Sequence, residues 1–283
     1  MTRIGIAYDR LRTEEKMLLR AAQSMGCEAC PIDVKTVRAG TGDGRGAAPA
    51  DAVLERCVSY YRGLHYTSYL EFLGVPVVNR FEVASTCGNK MFVSLLLKKR
   101  NVPTPETDFA FSSGAALETL ERTGYPKVIK PVVGSWGRGV MPLRDRDAVD
   151  AIIEIRTVTD SPLDRIYYLQ EMVDRPPRDI RVITINHEPV AAMYRSADGF
   201  RTNVSTGGAP QPCDHTGDLG EIASRASEAV GGGILGIDMM EDPVRGVLVH
   251  EVNNTVEFRG ISGVTDADIP GMMVRYAVSC VRK

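Results

Sequence analysis

The chain has 283 residues, 43% of them hydrophobic and 25% charged, with a formal net charge of −2, which is the composition of a globular protein with a sizeable core and room for two or three small domains. So even a charge balance excludes general attraction to nucleic acid or to anionic membranes. No apolar run approaches the length of a membrane span, and the opening MTRIGIAYDR lacks the apolar stretch of a signal peptide, so a cytoplasmic protein is expected.

The first region reads as alternating strands and helices. Arg3–Tyr8 is an apolar run of strand length, and Glu14–Met25 has helical spacing ended by Gly26. Ile32–Val34 is a predicted strand, residues 39–50 a Gly- and Ala-rich loop, and Ala52–Val58 another strand. A helix over His65–Leu73 and a strand over residues 74–79 complete a mainly parallel α/β domain, assigned to residues 1–85. Cys87–Arg100 is then predicted as one amphipathic helix carrying Lys90, ended by Pro103 and Pro105. A helix near Ala115–Thr123 leads to a strand over Pro126–Lys130, within a central domain assigned to residues 86–166. Tyr167–Glu171, Asp179–Asn186 and Pro189–Arg195 are strands, Leu219–Val230 is a helix stopped by three glycines, and Leu235–Met240 and Val247–Asn253 form a last strand pair. These belong to a third region, 167–283. Of six cysteines only Cys27 and Cys30 are spaced as CxxC, and without a second pair they are expected to be plain thiols.

Two segments carry chemistry. Glu251 and Asn253 are two apart on a predicted strand and so share a face. With the preceding turn centred on Val244-Arg245, Asp238 falls directly opposite Glu251, at a Cβ separation of about 5 Å. Two carboxylates that close repel unless a cation lies between them, and two carboxylates with an amide oxygen suit Mg²⁺. A solvent-facing polar edge is the plain alternative, but the flanking Leu235, Ile237, Val247, Val249 and Val252 are too apolar for it. The second segment runs from Lys130 through Gly134, Ser135, Trp136, Gly137, Arg138 and Gly139. A lysine ahead of a Gly-rich loop offers a cation and closely approaching backbone N–H groups to phosphate. It has neither the Walker A ending nor the Rossmann spacing, and alone it reads equally well as a flexible connection.

The order of these pieces is more specific than any one of them. A helix lysine (Lys90), a strand lysine with a Gly-rich loop, a strand ending in Gln170-Glu171, the run Arg178-Asp179-Ile180-Arg181 and a carboxylate hairpin follow one another. This order resembles the ATP-grasp superfamily, and the stretches 54–59, 129–138, 178–182 and 251–258 are similar to its LysX/RimK branch, LysX-type ligases in particular. The resemblance covers nearly the whole chain. It implies an N-terminal pre-ATP-grasp α/β domain followed by a two-subdomain α+β ATP-grasp fold, and an ATP- and Mg²⁺-dependent carboxylate–amine ligase working through an acyl phosphate. Carried over by residue, it implies that Lys90, Lys130 and the loop Gly134, Ser135, Trp136 and Gly137 hold ATP phosphates. The backbone near Gln170, Glu171 and Met172 would read the adenine edge, and Asp179 the ribose hydroxyls. Arg181, Arg195 and Asn203 would face the reacting groups, while Asp238, Glu251 and Asn253 would bind magnesium.

The resemblance also implies partners: a small acidic amino-group carrier protein of the LysW type whose C-terminal glutamate is the carboxylate donor, a small amino acid as amine, and a homo-oligomer. A RimK-like ligase adding glutamate to a protein tail or cofactor, or an ATP-binding protein without catalysis, remain as alternatives. The chain departs from the family pattern at Asn203-Val204-Ser205-Thr206-Gly207-Gly208, where Thr206 replaces an arginine, and at Phe258-Arg259-Gly260, where Lys-Asn is usual after Phe. The first departure implies an amine other than aminoadipate.

Overall fold

Ile4, Ile6 and Ala7 are fully buried, as an apolar run at the centre of a parallel sheet must be. In this computed structural model, which describes residues 1–42, 48–196 and 209–281, they lie on β1 (Arg3–Tyr8), followed by α1 (Thr13–Ser24) and β2 (Glu28–Asp33). β3 (Ala52–Glu55), α2 (Tyr60–Phe72) and β4 (Val77–Val78) complete a four-stranded parallel sheet of order β2-β1-β3-β4. β2 begins ahead of the predicted Ile32, and α2 ahead of the predicted His65. The reason for the second is Ser59, whose side chain accepts the Arg62 N–H and caps a helix that periodicity alone did not reveal.

The helix expected over Cys87–Arg100 is α4 (Lys90–Lys99), and a separate short helix not read from the sequence, α3 (Phe81–Cys87), ends just before it. Two features mark the junction between them. A Cβ at Gly88 would lie 2.0 Å from the Tyr60 ring, so the chain passes there without a side chain. Asn89 then caps α4, its side-chain oxygen accepting the N–H groups of Met91 and Phe92 at 3.0 and 3.4 Å.

β5 (Thr107–Ala110), α5 (Ser113–Thr123), β6 (Lys127–Lys130), β7 (Met141–Leu143), α6 (Arg146–Val158) and β8 (Tyr167–Glu171) build an antiparallel sheet of order β5-β8-β6-β7. Its core of Ala116, Leu120, Ile129, Val149 and Leu169 is separate from the others. β9 (Arg178–Ile185), β10 (Glu188–Ser196), β11 (Ala209–Cys213), α7 (Gly217–Val230), β12 (Ile234–Asp242) and β13 (Gly246–Asn253) form the third sheet, of order β11-β10-β9-β12-β13, and α8 (Ile269–Val281) follows.

The third sheet explains the site. Ile180, Val182, Leu235, Ile237 and Met239 alternate onto the face covered by α3, α4 and α7. Their neighbours face the other way. There Ile183, Ile185, Met193 and Ile234 join Ile4, Leu18 and Leu54 of the first sheet and Met273 of α8 in one core. On that same face, nearer the other end of these strands, alternation places Asp179, Arg181, Arg195 and Asp238. Asn79 ties the two bodies together: its amide donates to the carbonyls of Ile234 and Asn254, both at 2.7 Å, and accepts the Ile234 N–H at 2.6 Å. Among the described residues no helix is long and apolar enough to cross a membrane.

Candidate active site

A cavity of about 910 Å³ lies over the charged part of that face. Asp238 stands opposite Glu251, as the sequence predicts, but the route differs. The hairpin pairs Asp242 with Gly246, a tighter turn that would bring Asp238 opposite His250. The register shifts between Asp238 and Met239, and this bulge at His250 restores the Asp238–Glu251 pair. Asn253 follows on the same face, its amide nitrogen donating to Asp238 Oδ2 at 3.2 Å.

Every charged group on this floor has a counter-charge. Arg181 donates to both oxygens of Asp238 at 2.7 Å each. Arg195 does the same to Asp179 at 2.6 and 2.8 Å, and its second nitrogen is 3.2 Å from Asp238. Burial raises the Asp238 carboxyl, but the two guanidiniums more than reverse this and hold it well below the ordinary carboxylate range. Lys90, the first residue of α4, reaches Glu251 at 3.3 Å and the Gly134 carbonyl at 2.8 Å. Its own N–H bonds the Val132 carbonyl at 2.8 Å, so both ends of Lys90 hold the Gly-rich segment over the sheet.

That segment lines the cavity from Val133 to Gly137. Trp136, at φ 57°, donates its indole N–H to Glu257 at 3.3 Å, and Glu257 also meets Arg12 at 3.4 Å. Lys130 lies on the facing sheet, 7% exposed, and donates to Gln170 Oε1 at 2.6 Å. Burial pushes its ammonium down to about 8, helped by the charges of Lys90 and Arg175 and opposed by Glu251 and Asp238. Gln170 in turn donates to Tyr168 and Thr107.

Lys90, Gly134, Ser135, Trp136, Gly137, Arg181, Arg195, Asp238, Glu251 and Asn253 therefore come together around one cavity. Lys130, Gln170 and Asp179 lie beside it in paired positions and do not line it. The Glu171 side chain accepts from the Glu106 N–H at 2.9 Å and from Arg245 at 2.6 Å, which leaves its backbone role untouched, and Met172 follows β8 without lining the cavity. Asn203 and Thr206 lie outside the described residues.

Sequence reasoning missed His250. Both of its ring nitrogens are buried without a hydrogen-bond partner, and the residue lines the cavity. Burial and the Lys130 charge keep the imidazole well below its ordinary pKa, hence neutral. The bulge that aims it inward has no sequence signature, because it is set by pairing across strands.

The donor set Asp238, Glu251 and Asn253 suits a hard divalent cation that completes its shell with phosphate and water. Among the described residues no three His, Cys, Asp or Glu gather as a metal site, so the candidate set is two carboxylates and an amide. Asp238 is ionised and in register with Glu251, which fits that role. Its oxygens now accept from Arg181 and Arg195, so binding an ion requires these guanidiniums to share it.

Two family models match. Residues 4–86 match a LysX preATP-grasp domain and residues 87–277 a RimK-like ATP-grasp domain. The chain is 34% identical over 273 residues to the alpha-aminoadipate–LysW ligase LysX of Saccharolobus solfataricus, covering 96% of this chain and 99% of that protein. It is 30% identical over 276 residues to the glutamate–LysW ligase ArgX of Sulfolobus acidocaldarius, covering 97% of each. The crystal structure of a RimK domain ATP-grasp protein from Sphaerobacter thermophilus superimposes with a TM-score of 0.79 at 25% identity, over 98% of this chain and 99% of that one.

Proposed function

The chain belongs to the RimK-like ATP-grasp family, an ATP-dependent carbon–nitrogen ligase with a LysX preATP-grasp domain, and from that premise we propose that it joins the amine of a small amino acid to the C-terminal glutamate of a LysW-type carrier. The observation that carries the reading is the single sheet face on which Arg181, Arg195, Asp238, Glu251 and Asn253 converge beneath the loop 133–137.

The reaction has two steps. A carboxylate oxygen attacks the γ-phosphorus of ATP, forming a new P–O bond while the β–γ bridge breaks and ADP leaves. The amine nitrogen then attacks the acyl carbon, the C–O bond to phosphate breaks, and the nitrogen gives up a proton. Such chemistry depends on positioning and charge neutralisation more than on a side-chain nucleophile. Asp238, Glu251 and Asn253 would hold Mg²⁺, which offsets the negative charge of the transferring phosphate. Lys90 from the cavity lining, and Lys130 from beside it, would hold phosphate oxygens, and Arg181 and Arg195 would orient the acyl phosphate with planar donor pairs. The loop 134–139 excludes water that would hydrolyse it.

The test is ADP release by the purified protein with a LysW-type carrier and a panel of amino acids that includes aminoadipate and glutamate. Thr206 stands where the family pattern has an arginine, whose loss removes a partner for a distal carboxylate or alters how the acyl phosphate is held, so an amine other than aminoadipate is expected to give the highest kcat/KM. Turnover without a carrier, with glutamate added to another acceptor, would replace this reading by the RimK-like one.

A further inference from the structure

Six carboxylates are buried among the described residues: Asp9, Glu14, Glu15, Glu55, Asp179 and Asp238. Five of them have an arginine. Asp9 meets Arg62 at 2.7 Å, Glu14 meets Arg56 at 3.6 Å, and Glu15 meets Arg12 at 2.8 Å and Arg56 at 3.4 Å. Asp179 and Asp238 have Arg195 and Arg181. Glu55, 8% exposed at the end of β3, has no cation within ion-pairing distance among the described residues. Arg56 follows it in sequence, but its guanidinium is held by Glu14 and Glu15.

A buried carboxylate without a counter-charge is costly, and such a group is seldom kept without a reason. Here the fold makes room for it. Gly63 sits in the second turn of α2, where glycine is the poorest helix former but proline. A Cβ at Gly63 would lie 2.6 Å from Glu55 Oε1 and 2.8 Å from its carboxyl carbon. The one backbone donor to the carboxylate is the Cys57 N–H at 2.5 Å. Burial, only partly offset by that bond, by the Cys57 thiol and by the more distant Arg56 charge, pushes the carboxyl up to about 7. Glu55 also lines the same cavity as Lys90, Arg181, Asp238 and Glu251, on the wall contributed by the N-terminal domain.

We propose that Glu55, in the space left by Gly63, is the binding group for the ammonium of the amine substrate as it enters, before that nitrogen loses a proton to solvent and attacks the acyl carbon. The missing counter-ion is then the substrate itself. The proposal rests on the ligase reading, since that reaction brings a primary amine into this cavity, and it gives the N-terminal domain a direct part in choosing the acceptor.

The experiment measures binding and needs no turnover. Glutamate and α-aminoadipate are compared with glutarate and adipate, the same diacids without the amino group, by titration calorimetry on the full chain with a non-hydrolysable ATP analogue. Wild type is expected to bind at least one amino acid about ten- to a hundredfold more tightly than its deaminated partner, the range of one charge-assisted bond. Glu55→Gln is close in shape and should lose that preference while binding the ATP analogue unchanged. Gly63→Ala should weaken amino-acid binding where Glu55 is present and add little in the E55Q background, because both act through one carboxylate. Thermal unfolding of each variant identifies any that fail to fold. A preference retained by E55Q, additive effects in the double variant, or a wild type that treats both pairs alike would overturn the proposal. Absent ADP release with every carrier and amine would bear on the ligase reading alone.

Discussion

Replacing Lys130 by methionine tests the electrostatics of the cleft. The folded Lys130 sits at about 8 against an ordinary 10.5. At about 1.4 kcal/mol per pKa unit, holding this charge in the fold costs on the order of 3 kcal/mol at neutral pH. Between pH 8 and 10.5 the unfolded chain keeps a proton that the folded chain has given up, so this contribution makes stability rise with pH in that window. Roughly 2 kcal/mol should be recovered between pH 7.5 and pH 10. Other groups titrate there too, but both proteins share them. The assay is therefore urea unfolding of wild type and K130M at a series of pH values, read as the difference between the two. That difference should shift by about 2 kcal/mol in favour of wild type on going to pH 10. ATP should show the opposite trend, binding wild type less tightly above pH 8 as the ammonium loses its proton and binding K130M weakly throughout. Parallel stability curves for the two proteins would refute the claim that burial has shifted this lysine.

Three further outcomes follow from the geometry. Glu251→Gln should lower ADP release at least about a hundredfold with little change in unfolding temperature, because the group serves phosphate transfer and not the core; near-normal turnover would exclude the site. Trp136 is the only tryptophan, so its emission should change on ATP addition as the loop closes, and Glu257→Gln, which weakens the acceptor of its indole N–H, should alter the starting spectrum. Gly88→Ala should destabilise the fold by about 1–3 kcal/mol through the Tyr60 ring, visible in chemical denaturation, whereas a neutral effect would mean that the ring moves freely.

Much of the site was legible because it depends on local rules. Strand periodicity places Glu251 and Asn253 together, and the apolar flanks show that their hairpin is buried. The gap between helix lysine and strand lysine, with glycines after the second, carries the family's order. What was not legible depends on partners distant in the chain. The close passage of Gly88 against the Tyr60 ring, between α3 and α4, involves a residue some 28 positions earlier. The bulge at His250 arises from pairing with β12. The isolation of Glu55 follows from Arg56 being claimed by Glu14 and Glu15, about 40 residues before it. The pairing of Asp179 with Arg195, which donates to both its oxygens, is likewise set by a neighbouring strand and not by local pattern.

The shared core of the first and third sheets has a consequence for how the chain acquires its shape. α1 packs against α8, and α8 also lies on β3. α1 ends at Ser24 and α8 begins at Ile269, so a growing polypeptide exposes Leu18, Ala22 and their neighbours for roughly 10–50 s at about 5–20 residues per second before their cover is made. The middle sheet, with its own separate core, can complete itself during that wait. Synthesis from the ribosome thus finishes the inserted body first and closes the outer one last, and the apolar face left waiting is where a nascent-chain chaperone would be needed.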